Sequence, residues 1–423
     1  MTTAPPRPAP TADTPSVAGR PGLRPWMRSA LIVAAGMVIL SITATLTGQI
    51  QLTSRGTTQA AVLLLLPILL AGLGGLWAER AGVINIGLEG MMILGTWGAA
   101  WAGYQWGPWA AVIGGAVFGA LGGLLHAVAT VTFNVNHIVS GVAINLLGLG
   151  VTKYLSTLLF FPVSRNPRQS PRVDGFDTYS LQPVADWMAA LEAQQRVLLS
   201  DVAGIVGGLI SGLTPLTILG FALVPISWYV LWRTRFGLRL RSCGENPFAA
   251  ESLGVSVVRY KYIAVVVSGA LAGLGGAALT LNPGQLGYLE GQTGGRGYIG
   301  LAAMIFGNWR PGGLLFGAAL FGYVDGVQLR AGGEAVHALL YGATLLAVLV
   351  AVLWALRRNW RGALVALVAG GVVYAVYLSI ETVPREFAAY APQLVTLLVL
   401  AVASQRLRPP AADGLEYRRG EGD

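Results

Sequence analysis

The feature that most limits this chain's architecture is a series of apolar runs, most about the length of a membrane crossing. They lie near 29–48, 59–77, 85–105, 108–129, 138–161, 212–232, 260–281, 297–309, 312–329, 335–356, 362–380 and 388–404. A helix rises 1.5 Å per residue, so about 20 apolar residues cross about 30 Å of hydrocarbon. Backbone polar groups in lipid must be satisfied internally, and helices do so within one segment. The chain is therefore expected to fold as an all-α, polytopic transmembrane helical bundle of about 10–12 spans. The run at 297–309 is too short to cross alone. It reads as a broken or re-entrant segment packed inside the protein.

Composition supports this reading. Charged residues make up 11% of the chain, against about a quarter in soluble domains. The 58 glycines fall largely in the apolar runs, where small residues let helix backbones approach closely. The net charge of +9 is not read as a nucleic-acid footprint, because cytoplasmic loops of membrane proteins carry excess arginine. One cysteine, Cys243, excludes an internal disulfide. Three scattered histidines give no metal cluster, and no cofactor is expected.

Arginine placement sets the expected orientation. With the N-terminus inside, the inner side collects Arg233, Arg235, Arg239, Arg241, Arg259, Arg357, Arg358 and Arg361, among others. The outer side holds fewer, such as Arg165, Arg168 and Arg172. Both termini are thus expected to be cytoplasmic, in the plasma membrane. The expected organisation is a disordered tail at 1–28, a transmembrane domain at 29–405 and a cytoplasmic tail at 406–423. An external loop spans 162–211 and a cytoplasmic loop spans 233–259. The first run, 29–48, is expected to stay as a span rather than leave as a signal peptide.

The chain also echoes itself. Ile86-Gly87-Leu88 with Met91 returns as Ile299-Gly300-Leu301 with Met304. The segment 114–120 returns as 312–318, in the same order. The copies run in opposite directions in this topology, which suggests an inverted repeat.

Two groups of residues are candidates for function. In the cytoplasmic loop, Asn246 suits a helix N-cap, Pro247 its first position and Gly254 its end. The implied short helix is something a motor subunit can grip. Within the spans, Asn85, Glu89 and Thr96 are spaced to share a helix face, as are Asn145, Thr152 and Ser156. Amides and hydroxyls suit a polar cargo. Asn85, Glu89, Asn145, Thr152 and Ser156 are therefore the pathway candidates. Asn134, Asn136 and His137 are expected to cap or turn a loop.

The motif Gly244-Glu245-Asn246-Pro247, followed by Ala249-Ala250 and Leu253-Gly254, resembles the coupling loop of ABC permeases of the branched-chain amino acid and simple-sugar type. The segments 79–91 and 296–309 resemble motifs of that family's nucleoside-importer branch, and the tail 408–420 is similar too. The resemblance implies a fold like that of type II ABC importers. It assigns ATPase coupling to Gly244, Glu245, Asn246, Pro247, Ala250, Leu253 and Gly254. It implies three protein partners: a cytoplasmic ABC ATPase, a second related permease and a lipid-anchored extracytoplasmic binding protein. It implies nucleosides, or ribose-like sugars, as cargo. The chain has no GK[ST] phosphate loop of its own, so ATP hydrolysis is expected in a separate subunit. The alternative is an ion-coupled secondary transporter of a small polar solute. That role needs ionisable groups within the spans, and there Glu89 is nearly alone. No residue cluster supports an embedded enzyme.

Overall fold

The computed structural model describes residues 25–384, 407–418 and Gly420. The expected tail at 1–28 falls outside these except for 25–28, which open the first helix. The expected span at 388–404 lies wholly outside them. The described chain is helical, in the order α1 (Pro25–Thr47), α2 (Arg55–Arg80), α3 (Leu88–Trp106), α4 (Pro108–Ala127), α5 (His137–Leu155) and α6 (Phe161–Ser164). Then follow α7 (Gln182–Glu192), α8 (Leu199–Leu209), α9 (Pro215–Arg233), α10 (Arg235–Glu245), α11 (Pro247–Ser252) and α12 (Val257–Thr280). The last are α13 (Arg296–Phe306), α14 (Pro311–Leu356) and α15 (Trp360–Ser379). π-helical turns continue α4 over Val128–Thr132 and join α5 to α6 over Ser156–Phe160.

Among the described residues, seven helices are long and apolar enough to cross a membrane: α2, α4 and α5 with their extensions, α9, α12, α14 and α15. The longest, α14, is two helices fused across a break at Gly332, whose φ of 67° and ψ of −156° are not helical. The break matches the gap between the runs at 312–329 and 335–356. Helix α3 has 19 residues and is buried along most of its length. Helix α13 has 11 residues, about 16 Å of helix, which is half a crossing.

The centre of the bundle is built from α2 and α12, which run antiparallel. Gly74 packs on Ser268, and Gly275 packs on Pro67. Around them the packing is reciprocal. Helix α12 takes α4 antiparallel, with Gly119 on Gly269 and Gly115 on Gly273, while α2 takes α14 antiparallel, with Gly322 on Leu65 and Gly326 on Ala61. Helix α3 runs parallel to α12, and α13 runs parallel to α2, with Gly300 on Ile68 and Met304 against Gly75. Thus α2–α3–α4 and α12–α13–α14 are swapped halves pointing in opposite directions. The first echoed motif spans the start of α3 and lies within α13, and the second lies in α4 and α14. A reciprocal close approach is at Gly119 and Gly269, where a Cβ on either residue would collide with the other's carbonyl oxygen. No larger residue fits that crossing.

The loop at 162–211 contains α7 and α8 and caps the α2 N-terminus. Glu192 Oε1 accepts from the Arg55 amide at 3.0 Å, and Arg55 Nη2 donates to Ser211 Oγ at 2.8 Å. Asp201 accepts from both Ser41 and Thr53, tying α8 to α1 and to the short turn that precedes α2.

Candidate functional site

The first candidate site lies where two helices begin inside the bundle. The chain leaves α2 at Arg80, turns at Gly82 (φ +80°) and runs without helix through Val83, Ile84, Asn85 and Ile86. Only then does α3 start, with Leu88 against Gly74 and Gly75 of α2. Asn85 is therefore not on a helix, and it shares no helix face with Glu89 and Thr96. This corrects the expectation drawn from their spacing. The spacing test fails because the helix begins after Asn85.

A non-helical strip deep in a membrane protein needs partners for its backbone. Asn85, 0% exposed, folds back to accept from the Gly87 amide at 3.0 Å and donates to Ser268 Oγ at 2.9 Å. His137 Nδ1 accepts from the Ile84 amide at 3.3 Å. His126 Nε2 lies 3.1 Å from the Ile84 carbonyl, and its Nδ1 lies 2.8 Å from Ser140 Oγ. Asn145, 7% exposed, donates to the Ile86 carbonyl at 3.1 Å and accepts from the Gly90 amide at 2.7 Å. Its amide also donates to the Tyr298 hydroxyl at 2.9 Å.

Glu89 closes the junction. It is 6% exposed, and its carboxylate accepts from the Gly295 amide at 2.9 Å and the Gly297 amide at 2.7 Å. These are free N–H groups at the α13 N-terminus, where negative charge is favoured. Because Gly300 packs on Ile68 and Gly72, α13 begins about midway along α2. Tyr298, one turn in, is 46% exposed while Asn145 holds its hydroxyl. Thr152 and Ser156 are also buried, further along α5. Thr152 donates to the Gly148 carbonyl at 2.7 Å, and Ser156 accepts from Trp97 Nε1 at 3.0 Å. Thr96 donates to its own helix at Ile93. Asn145, Thr152 and Ser156 do face the same interior side of the chain. Asn136 caps α5, as expected, by accepting from the Ile138 amide at 2.9 Å.

The second candidate site is the loop between α9 and α12. Asn246 Oδ1 accepts from the Ala249 amide at 3.0 Å, Pro247 opens α11, and Gly254 (φ +79°) follows its end. Pro247 and Ala250 are buried, whereas Leu253 is 85% exposed. Glu245 sits 3.9 Å from Arg80. Arg80 in turn donates through Nε (3.1 Å) and Nη2 (2.7 Å) to the Trp309 carbonyl just beyond α13. Its guanidinium also lies 5.3 Å from the Trp232 ring.

Sequence reasoning missed His126, Tyr298, Arg80, Trp309 and Glu79 as organising residues. Glu79 Oε2 accepts from Trp309 Nε1 at 2.5 Å. A buried histidine or carboxylate in an apolar run is a usable signal, but its partner lies far away in the chain. Among the described residues no group of histidine, cysteine or acidic side chains is arranged to hold a metal. Of the acidic residues in α14, Asp325 pairs with Arg296 at 3.5 Å and Glu334 accepts from Gln49 at 3.3 Å.

A family model described as branched-chain amino acid transport system, permease component, matches residues 57–349. The chain is 35% identical over 270 residues to the guanosine ABC transporter permease protein NupQ of Bacillus subtilis, covering 62% of this chain and 78% of NupQ. It is 32% identical over 363 residues to the nucleoside ABC transporter permease protein NupC of Lactococcus lactis, covering 83% of this chain and 93% of NupC. It is 26% identical over 262 residues to the guanosine ABC transporter permease protein NupP of Bacillus subtilis, covering 60% of this chain and 69% of NupP. No solved structure matches the chain.

Proposed function

Since the chain belongs to the branched-chain amino acid transport system permease family, we propose that its work is divided between the two sites just described. The protein is a multi-pass permease subunit of an ATP-binding-cassette importer for nucleosides or simple sugars. Nucleosides are the cargo favoured by the likeness to NupQ and NupC. The observation that carries the reading is the junction at Glu89. A broken helix begins midway along the central helix α2, its amides held by a carboxylate and its Tyr298 ring left exposed. Irregular backbone at that depth is tolerated only inside protein or along a water-filled path. Asn85, Glu89 and Asn145 shape this path, Thr152 and Ser156 extend the same side of α5, and Tyr298 offers a ring to a base or sugar.

Coupling runs through α11. Gly244, Glu245, Asn246, Pro247, Ala250, Leu253 and Gly254 present a capped helix to a cytoplasmic ABC ATPase, which hydrolyses the ATP. The likeness to both NupQ and NupP, two guanosine permease proteins of one organism, supports pairing with a second related permease. A lipid-anchored binding protein delivers cargo to the face formed by 162–211. Both termini are cytoplasmic, as the arginines of 233–259 favour. In a chain whose Cys243 is replaced, a cysteine at position 168 should label from outside. One at position 251 should label only after permeabilisation. Labelling of position 168 from the cytoplasm overturns the orientation.

The direct test is uptake by the reconstituted complex against guanosine, uridine, adenosine and ribose, with and without ATP. Saturable ATP-dependent uptake of nucleosides is expected. Uptake that follows a proton or sodium gradient without ATP overturns the reading. Leu253→Asp should abolish ATPase association while membrane insertion is kept. Normal association would remove α11 from the coupling role.

A further inference from the structure

The C-terminal segment 407–417 returns to the cytoplasmic loop and lies across it. The Arg408 amide donates to Asn308 Oδ1 at 2.8 Å. The Ala411 amide donates to Glu245 Oε2 at 3.2 Å, and the Ala412 amide to the Gly244 carbonyl at 2.9 Å. Pro410, Ala412 and Tyr417 are buried. The Tyr417 ring packs 5.4 Å from Phe248 of α11, and Lys261 of α12 lies 5.7 Å from it. Cys243, Ala250 and Val257 complete one small core with Tyr417. The Asp413 carboxyl rests against Glu79 of α2.

Together these contacts tie the strap to α10, α11, α12 and the end of α2, and through Arg408 to the place where α13 ends. That end is under strain. Asn308 and Trp309 both adopt positive φ, 55° and 51°, a conformation unfavourable for residues with a Cβ. Arg80 and Glu79 hold Trp309, Arg408 of the strap holds Asn308, and Glu245 bridges Arg80 and the strap. A rigid α11 alone contacts little of this. With the strap in place, α11, the α2 terminus and the α13–α14 link form one packed body.

We propose that residues 407–417 are a clasp that completes the coupling element, carrying movement of α11 to the cytoplasmic end of the broken helix α13. The proposal rests on the reading of α11 as the ATPase docking helix. Its chemistry is intramolecular: backbone amides of the strap on Gly244 and Glu245, and one aromatic anchor, Tyr417, over Phe248 and Cys243.

Cys243 is a built-in reporter. It is buried beneath Tyr417, and burial pushes its thiol up to about 11, so it reacts slowly. In the assembled complex, Tyr417→Ala should raise the alkylation rate of Cys243, read by mass spectrometry, by roughly tenfold or more, because local opening exposes the thiol. Complex yield and ATPase association should be kept. Uptake per assembled complex should fall by roughly tenfold, a loss of about 1.4 kcal/mol of coupling, with more ATP hydrolysed per cargo molecule. Tyr417→Phe keeps the ring and should restore both. A Tyr417→Ala complex with fast-labelling Cys243 but normal uptake and ATP-to-cargo ratio overturns the clasp. So does unchanged labelling, since Tyr417 would then not anchor the strap. Leu253→Asp separates the two ideas: if that variant keeps its ATPase, the docking reading itself fails, whatever the strap variants show.

Discussion

The junction at Glu89 and the loop between α9 and α12 both position a short helix, and they do so by opposite means. Helix α11 is capped from its own sequence, by Asn246 three residues before the amide it binds. Helix α13 is capped from Glu89, more than 200 residues away. The strip before α3 likewise draws on α4, α5 and α12. A local cap needs only chain geometry. A remote cap needs the bundle to be already packed, so loss of a junction residue should propagate through the fold, whereas loss of a loop cap should stay local.

The sharpest break of this contrast is Glu89→Leu. It strips two amides of a charged acceptor in a buried site, at about 1.5–3 kcal/mol for each bond. Yield and thermal midpoint of the purified complex should fall the most of any variant here. Glu89→Gln, which keeps one carbonyl acceptor, should recover part of the loss. Equal behaviour of Glu89→Leu and the native chain would show that α13 does not depend on Glu89.

Asn145→Leu comes next. It leaves the Ile86 carbonyl and the Gly90 amide without partners, at roughly 1–3 kcal/mol each, and it frees Tyr298. Lower assembly should therefore accompany weaker uptake. Tyr298→Phe should assemble normally, because it removes only the hydroxyl. Its nucleoside uptake per complex reports what Tyr298 itself contributes.

In the loop, Asn246→Ala should cost about 1 kcal/mol of local helix stability. ATPase affinity should drop by a few-fold and the thermal midpoint of the permease should barely move. A large global destabilisation would erase the distinction between the two regions.

A separate effect concerns pH at the strap. Burial raises the Asp413 carboxyl from 3.8 to about 7, even though hydrogen bonding to Glu79 and the charges of Lys261 and Arg80 pull it down. The docked strap thus binds a proton more tightly than the undocked one. Docking is strongest below about pH 4, weakens as pH rises, and loses this contribution entirely once pH passes about 7. Hydrogen exchange at the Ala412 amide, corrected for its intrinsic pH dependence, should show the trend. Asp413→Asn should flatten it.

Much of the architecture is legible in the chain because lipid imposes a length and a polarity on each crossing. Those rules alone mark the spans, the short segment at 297–309 and the gap that Gly332 fills. Asn246, Pro247 and Gly254 mark α11 for a similar reason, since helix ends are settled by neighbours in sequence. The junction was legible only as a set of costly polar residues. Their spacing pointed to a helix face for Asn85, and the backbone there is not helical.

The amino-acid sequence by itself determined how many apolar segments there are, where arginines bound them and which short helix is capped in the loop at 233–259. Each is a matter of neighbouring residues and the solvent around them. Tertiary structure alone decided that Glu89 would cap α13, that Asn145 would hold both Gly90 and Tyr298, and that residues 407–417 would close over Cys243. A buried polar group takes whichever partner the packing brings within about 3 Å, and that choice exists only once the antiparallel pair α2 and α12 has brought the two halves together.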